Sequence, residues 1–485
     1  MPSSHGPARP QGPGLRGGGD ASRRDALLRE ARSRATAPQF LATLARRVAQ
    51  QTTSQENPSS PALWSYLRDD IGAMLAAMGF SFEVVPNPLP GAGPLLIAER
   101  SEDSALPTVL TYGHADVIRG QDAQWRAGLS PWTLHREGNR LYGRGTADNK
   151  GQHSINLEAL RMVLGARGRL GFNMRLIMES GEETGSPGLE AFCRAWSERL
   201  QADVFIASDG PRLRPEQATV FGGSRGVLNF ELRVKARDAP HHSGNWGGLI
   251  SNPGIRLAHA LATLSDPNGA IRVPEWRPNS LSPSVRAALA GLEVEGGDDA
   301  PVVDRNWGEP GLTPAEKVFG WNSFEVLAFR TGNPEAPVNA IPPSAHAHLQ
   351  LRYVVGTEAH NIVPALQRHL GAAGFGDVEV LAHDRSGMQA TRLDPDHPWC
   401  VRVLSSIQRS LGRRPAFLPN LGGSLPNAVF SQVLGLPTVW IPHSYAGCQQ
   451  HAPNEHLRVD LMEEGLAIMV GLFWDLGQAG ELSAA

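Results

Sequence analysis

From about Pro107 the chain carries short, nearly continuous apolar runs, each ending in a polar cluster. Residues 108–112 (TVLTY) lead into Gly113-His114-Ala115-Asp116. Residues 172–178 lead into Glu179-Ser180-Gly181-Glu182-Glu183, and residues 203–207 into Ser208-Asp209-Gly210. Between the first two, Ser154 to Leu164 spaces its apolar positions as a helix does. Buried strands alternating with helices predict a mainly parallel sheet covered on both faces. In such sheets ligands gather at the carboxyl ends of the strands, where these polar clusters fall. Helical patterning also precedes this region, through Asp25 to Leu28 and again from Leu63 to Leu75. Residues 1 to about 20 are rich in Pro, Gly and Ser with little to bury, and are expected to form a disordered leader.

The pattern changes again from roughly Gln217 to Ala390. A turn and an alternating strand occupy Val220 to Val234. A strand at Ala345 to Tyr353, a helix around Glu358 to Leu370 and a short strand at Val378 to Val380 follow. This order predicts a small α+β unit with one exposed sheet face. Apolar strand character returns at Thr438 to Ile441. The expected fold is therefore α/β: a larger domain with a mainly parallel central sheet, in two parts (21–216 and 391–485), interrupted by a smaller α+β domain (217–390).

Composition narrows the function. Among 485 residues, 45 basic and 48 acidic side chains give a net charge of −3, which gives no reason to expect nucleic acid as a partner. No run approaches the 18 or so apolar residues of a membrane-spanning helix, and no secretory signal pattern is visible at the N-terminus. The 3 cysteines, Cys193, Cys400 and Cys448, are far apart and form no CxxC pair. A reducing, cytoplasmic setting is the expectation.

Five short segments carry candidate chemistry: His114 and Asp116, Asp148 within GRGTADNKG, Glu182-Glu183, Asp209, and His451 in QHAPNE. Taken singly, each has a bland explanation as a solvated turn, a hydrogen-bonded histidine or a helix cap. Taken together, at strand ends or in adjoining loops, they crowd several carboxylates into one crevice. That is costly unless a cation neutralises them. An oxygen and nitrogen ligand set suits zinc first, with manganese or cobalt also fitting. Two divalent ions sharing a carboxylate bridge account for the number of ligands. Asp148 is the bridge, with His114 and Asp209 on one ion and Glu183 and His451 on the other. Glu182 is left unligated, as a general base must be, and Asp116 orients a histidine ligand.

These segments, in this order and spacing, resemble the M20 metallopeptidase family, which includes carnosine dipeptidases, acetylornithine deacetylase and glutamate carboxypeptidase. The resemblance spans most of the chain after about residue 60. It implies a di-metal catalytic domain interrupted by a lid that usually makes a homodimer. It also implies the same assignments for His114, Asp148, Glu183, Asp209, His451, Glu182 and Asp116. In the lid, His241-His242-Ser243-Gly244 resembles the segment whose histidine reaches the partner's active site; His242 is the better match and His241 the alternative. Asn339 and Arg352 resemble dipeptidase positions that hold the scissile carbonyl and the terminal carboxylate, and Gly423-Ser424 resembles a substrate-cradling loop. A guanidinium suits a carboxylate on physical grounds as well. His346 and His348 share one strand face and are expected at the surface, while His443 has no assigned role. Asn149 departs from the family pattern, which often has a second acidic residue there. The implied activity is hydrolysis of an amide bond next to a free carboxylate, in a dipeptide or small peptide. The alternatives are an N-acyl- or N-carbamoyl-amino-acid amidohydrolase, or a catalytically silent binding protein of the same fold.

Overall fold

The computed structural model describes residues 17–294, 301–383 and 388–478. An eight-stranded sheet organises the larger unit. Its strands, in chain order, are β1 (Ser81–Val85), β2 (Leu95–Arg100), β3 (Thr108–His114), β4 (Asn173–Glu179), β5 (Val204–Ala207) and β6 (Thr219–Phe221). The chain then leaves the sheet, and two later strands, Ala416–Leu418 and Thr438–Trp440, complete it. β3 lies parallel to both β4 and β5, and Thr438–Trp440 continues parallel to β5. Antiparallel pairing is confined to β1–β2, β2–β4 and the junction of Thr438–Trp440 with β6. The shared direction of the central strands brings the ends of β3, β4 and β5 to one edge.

Helices α1 (Gly17–Arg34), α2 (Pro38–Ala49) and α3 (Lys150–Arg167) pack on this unit, with α3 buried along most of its length. Leu157, Leu160 and Val163 of α3 join the core with Met174, Leu466 and Val470. No helix among the described residues is long and apolar enough to cross a membrane.

The excursion builds a second, four-stranded antiparallel sheet. Its strands are β7 (Gly226–Lys235), β9 (Ser323–Thr331), β11 (Ser344–Tyr353) and β12 (Glu379–His383), in the order β9-β11-β7-β12. A two-stranded ribbon, β8 (His241–His242) with β10 (Ala340–Ile341), projects from it. Helices α4 (Pro253–Leu264) and α5 (Ile362–Ala372) cover one face, burying Leu257, Leu264, Leu366 and Leu370 against Phe230, Leu232, Leu349 and Leu351. The alternate residues of β7 and β11 form the open face.

The structure revises several expectations. Helix α1 starts at Gly17, inside the stretch expected to be a disordered leader, while residues 1–16 lie outside the described residues. β6 lies within the 217–390 range but belongs to the large sheet. The same range contains two short helices, Pro283–Leu289 and Pro314–Phe319. They turn back to bury Val285, Leu289, Ala315 and Phe319 against Leu418, Leu421 and Leu425 of the larger unit. β9, an edge strand, had no counterpart in the sequence reading.

Candidate metal centre

Parallel pairing sets the first contacts. β3 and β4 run in register until His114 faces Glu179, and the next amide, Ala115 N–H, donates to Glu179 C=O at 2.7 Å. His114 Nδ1 donates to the Asp116 carbonyl at 3.0 Å, which leaves Nε2 free to act as a ligand. The buried Asp116 carboxylate accepts the Ser54 hydroxyl at 2.6 Å and the amides of Glu182 and Glu183 at 3.2 and 3.1 Å. Asp116 thus shapes the turn that presents the acidic pair, in addition to lying beside His114.

The loop bearing Asp148 is tightly wound. Gly145 has φ +85, and a Cβ on Gly151 would sit 1.9 Å from the Thr146 carbonyl. Only glycine meets either demand without strain. The sequence reading overlooked the residue that clamps this loop, Glu455. Its buried carboxylate accepts the amides of Gly145, Ala147 and Asp148 at 3.1, 2.9 and 3.1 Å, and Arg144 at 2.8 Å. Glu179 was likewise unassigned. It accepts the Tyr112 hydroxyl at 2.6 Å and Ser186 at 2.9 Å, bracing the turn before Glu182. The Asp148 side chain is only 13 % exposed.

The five predicted ligands meet in two overlapping groups: His114, Asp148 and Asp209, and Asp148, Glu183 and His451. Asp148 belongs to both. Its Oδ1 lies 3.0 Å from His114 Nε2 and its Oδ2 lies 3.2 Å from His451 Nε2, while Glu183 approaches the same His451 nitrogen at 3.0 Å. Asp209 Oδ1 accepts the Gly210 amide, and its Oδ2 is buried without a hydrogen-bond partner, 3.6 Å from His114 Nε2. An orphaned carboxylate oxygen facing an imidazole lone pair fits a cation between them. The residues therefore fit the metal ions that their ligand chemistry calls for.

The electrostatics point the same way. Burial, reinforced by Asp148 and opposed by His114, pushes Asp209 up to about 6. Burial and Asp148, opposed by His451, push Glu183 up to about 7. Burial also holds Glu182 well above the usual carboxylate range; His114 opposes the shift, and Glu183, Asp209 and Asp148 add to it. Asp148 alone is held below that range, because the neighbouring His114 and His451 outweigh its burial.

On the lid side, Arg352 from β11 meets Ser424: its guanidinium donates to the Ser424 hydroxyl at 3.1 Å, and its Nε to Gln350 at 3.0 Å. The Gly423 carbonyl accepts the Arg225 amide at 3.1 Å. His242 and Asn339 come together on the β8–β10 ribbon, where the Ser243 amide donates to the Asn339 carbonyl at 2.9 Å. Both are exposed, and no hydrogen bond or ion pair joins either to the ligand groups among the described residues. His348 is exposed and His346 half-buried. His443 is fully buried, with Nε2 beside the Ser208 hydroxyl and Asn156.

An α/β sheet with imidazoles and carboxylates converging at its strand ends around one shared aspartate defines a metal-dependent hydrolase. The chain belongs to peptidase family M20/M25/M40, whose model matches residues 110–475. It is 26 % identical over 374 residues to the cysteinylglycine-S-conjugate dipeptidase of Corynebacterium striatum, covering 75 % of this chain and 78 % of that one. The M20 metallo-carboxypeptidase Sso-CP2 of Sulfolobus solfataricus superposes with a TM-score of 0.76 at 23 % identity, covering 91 % of this chain and all (100 %) of the other. Human carnosine dipeptidase 1 superposes with a TM-score of 0.72 at 22 % identity, covering 94 % and 99 % of the two chains.

Proposed function

We propose that the chain hydrolyses the amide bond of dipeptides or small peptides whose C-terminal residue has a free α-carboxylate. The observation that carries this reading is the position of Asp148 between two ligand sets, with the unligated Glu182 in the same crevice. His114, Asp148 and Asp209 would hold one divalent ion, and Asp148, Glu183 and His451 the other, with zinc the best fit to the ligand set. Bound there, the ions supply polarisation of the scissile carbonyl and a lowered pKa for the attacking water. Glu182 accepts the proton from that water and returns it to the leaving amine. Asp116 holds the Glu182-Glu183 turn in place through both backbone amides.

Arg352 and Ser424 hold the substrate's carboxylate, with Gly423 keeping the loop close. His242 and Asn339 act on the scissile carbonyl of a second copy, so the working form is a homodimer. Three features support this. β9 is an edge strand, paired among the described residues only with β11, with Leu327 58 % exposed; the ribbon region exposes Trp246 and Val338; and Leu249 beside it is 77 % exposed. The three cysteines, buried and free, agree with a cytoplasmic setting.

The test is amino-acid release from a panel of dipeptides and N-acyl amino acids, with added Zn²⁺ or Mn²⁺, with chelator, and with Glu182→Gln as control. Chelator-sensitive cleavage of dipeptides, lost in the variant, is the expected result. Turnover of N-acyl amino acids alone would redirect the substrate assignment. No turnover by protein with its metals verifiably bound would overturn the peptidase assignment.

A further inference from the structure

Asn149, the departure from the family pattern, lies at the centre of a buried hydrogen-bond chain. Its Nδ2 donates to the Ser208 carbonyl at 2.9 Å, so its Oδ1 points the other way and meets His153 Nδ1 at 3.1 Å. That oxygen can only accept, so His153 carries its proton on Nδ1 and its Nε2 is an acceptor. The Tyr66 hydroxyl, 2.7 Å away, is the donor that Nε2 needs. Tyr66, Asn149 and His153 are all buried. The donors therefore run in one direction, from the phenol of residue 66 to the carbonyl that immediately precedes Asp209.

An amide has a fixed polarity, and the Ser208 carbonyl, which can only accept, selects it. Turned around, Asn149 would set its oxygen against the Ser208 oxygen and its NH₂ against a protonated ring nitrogen. Aspartate at this position could not donate to Ser208 at all, and it would add another carboxylate to a crevice already crowded with them. Asp148, the neighbour of Asn149, has its own clamp in Glu455. At Ser208, Asn149 holds the backbone carbonyl, while the Ser208 hydroxyl meets Asn156 and His443 and Gln152 links Ala147 to Gly210.

We propose that Tyr66, His153 and Asn149 form a neutral positioning relay that sets the spacing between Asp148 and Asp209. The relay governs cation affinity at the site of His114, Asp148 and Asp209, and not at the site of Asp148, Glu183 and His451. This rests on the di-metal reading above. Outer hydrogen-bond partners of this kind are worth roughly 10- to 100-fold in metal affinity.

The test is stepwise Co²⁺ titration of the chelator-stripped, full-length protein, followed by calorimetry and visible absorption. Asp209→Ala and Glu183→Ala serve as references that identify each step. Tyr66→Phe and His153→Leu should weaken the step missing in Asp209→Ala by about 10- to 100-fold, leaving the other within about twofold. His153→Gln, whose amide can donate to Asn149 and accept from Tyr66, should recover most of the loss. Unchanged affinities in Tyr66→Phe and His153→Leu would overturn the relay. So would equal weakening of both steps with a lowered Tm, or failure of His153→Gln to recover a selective loss. Wild-type protein that takes up no ion would instead refute the di-metal reading.

Discussion

Asp70 and Asp475 are buried, as Asp209 is, yet their surroundings are electrostatically opposite. Asp70 lies between Arg46 and Arg47, both at 3.0 Å. Asp475, on the C-terminal helix Val459–Leu476, receives Arg24 from α1, Arg409 and the Ser406 hydroxyl at 2.8, 2.8 and 2.6 Å. Among the described residues, Asp148, Glu182, Glu183 and Asp209 form no ion pair with arginine or lysine; the nearest positive partners are His114 and His451. Asp70 and Asp475 are held below the usual carboxylate range, whereas Glu182, Glu183 and Asp209 are held above it. A buried acid with an arginine partner is part of the scaffold. A group of buried acids without one is built for a cation that arrives separately.

The comparison can be broken in several ways. The largest effect is expected at Glu182, where Glu182→Gln should lower kcat by on the order of 10²- to 10⁴-fold while two ions still bind; steady-state kinetics with metal analysis checks both halves. Asp475→Asn strands two arginines and should cost about 3–5 kcal/mol in urea melts. Asp209→Asn removes repulsion, so in metal-free protein it should leave the Tm equal to or above wild type. Equal losses in both variants would erase the distinction between the two regions.

The Asp475 cluster also predicts a pH dependence. Hydrogen bonds from Arg24, Ser406 and Arg409 outweigh its burial and depress its folded pKa. Its stabilisation is therefore complete above the unfolded value of about 3.9 and fades as the pH falls through the lower, folded value. The stability gap between wild type and Asp475→Asn should accordingly close below about pH 4.

Smaller effects sharpen the contrast within the lid. Arg352→Lys keeps the charge but loses the planar fork, and should raise KM by about tenfold with kcat less affected. The open lid face also gathers charged groups and imidazoles, Glu231, Arg233, Arg330, His346 and His348, around a groove of about 570 Å³. There the groups pair with one another at the surface: Glu231 lies 3.4 Å from both His348 and Arg233, and the His348 side chain is 56 % exposed. His348→Ala should change stability by no more than about 0.5 kcal/mol and leave dipeptide turnover unaltered.

The sequence made the candidate ligands legible because His114, Glu183 and Asp209 each follow an apolar run, while Asp148 and His451 lie in the short segments GRGTADNKG and QHAPNE. The supports were not legible in that way. Glu455 reaches the Asp148 amide across 307 positions, and Tyr66 reaches His153 across 87. Only the start of helix α1, ahead of the Asp25 to Leu28 pattern, was hidden, by Gly17-Gly18-Gly19, which oppose helix formation. Docking overrides that preference through the Arg24–Asp475 pair and a hydrogen bond from Gln478 to Asp20. β9 was hidden because its register shifts between Val326 and Ala328 and Val326, Leu327 and Phe329 are all exposed, breaking the alternation that marks a half-buried strand.

The clamp on the Asp148 loop also has a bearing on synthesis. His451 and Glu455 are among the last of these groups to leave the ribosome, after the sheet edge that carries His114, Glu183 and Asp209 is already available. A nascent or prematurely terminated chain lacking them has an unclamped Asp148 loop and is missing one of the three residues of the second candidate ligand group. Closure of the Asp148 loop and completion of the second candidate ligand group therefore wait on the C-terminal part of the chain.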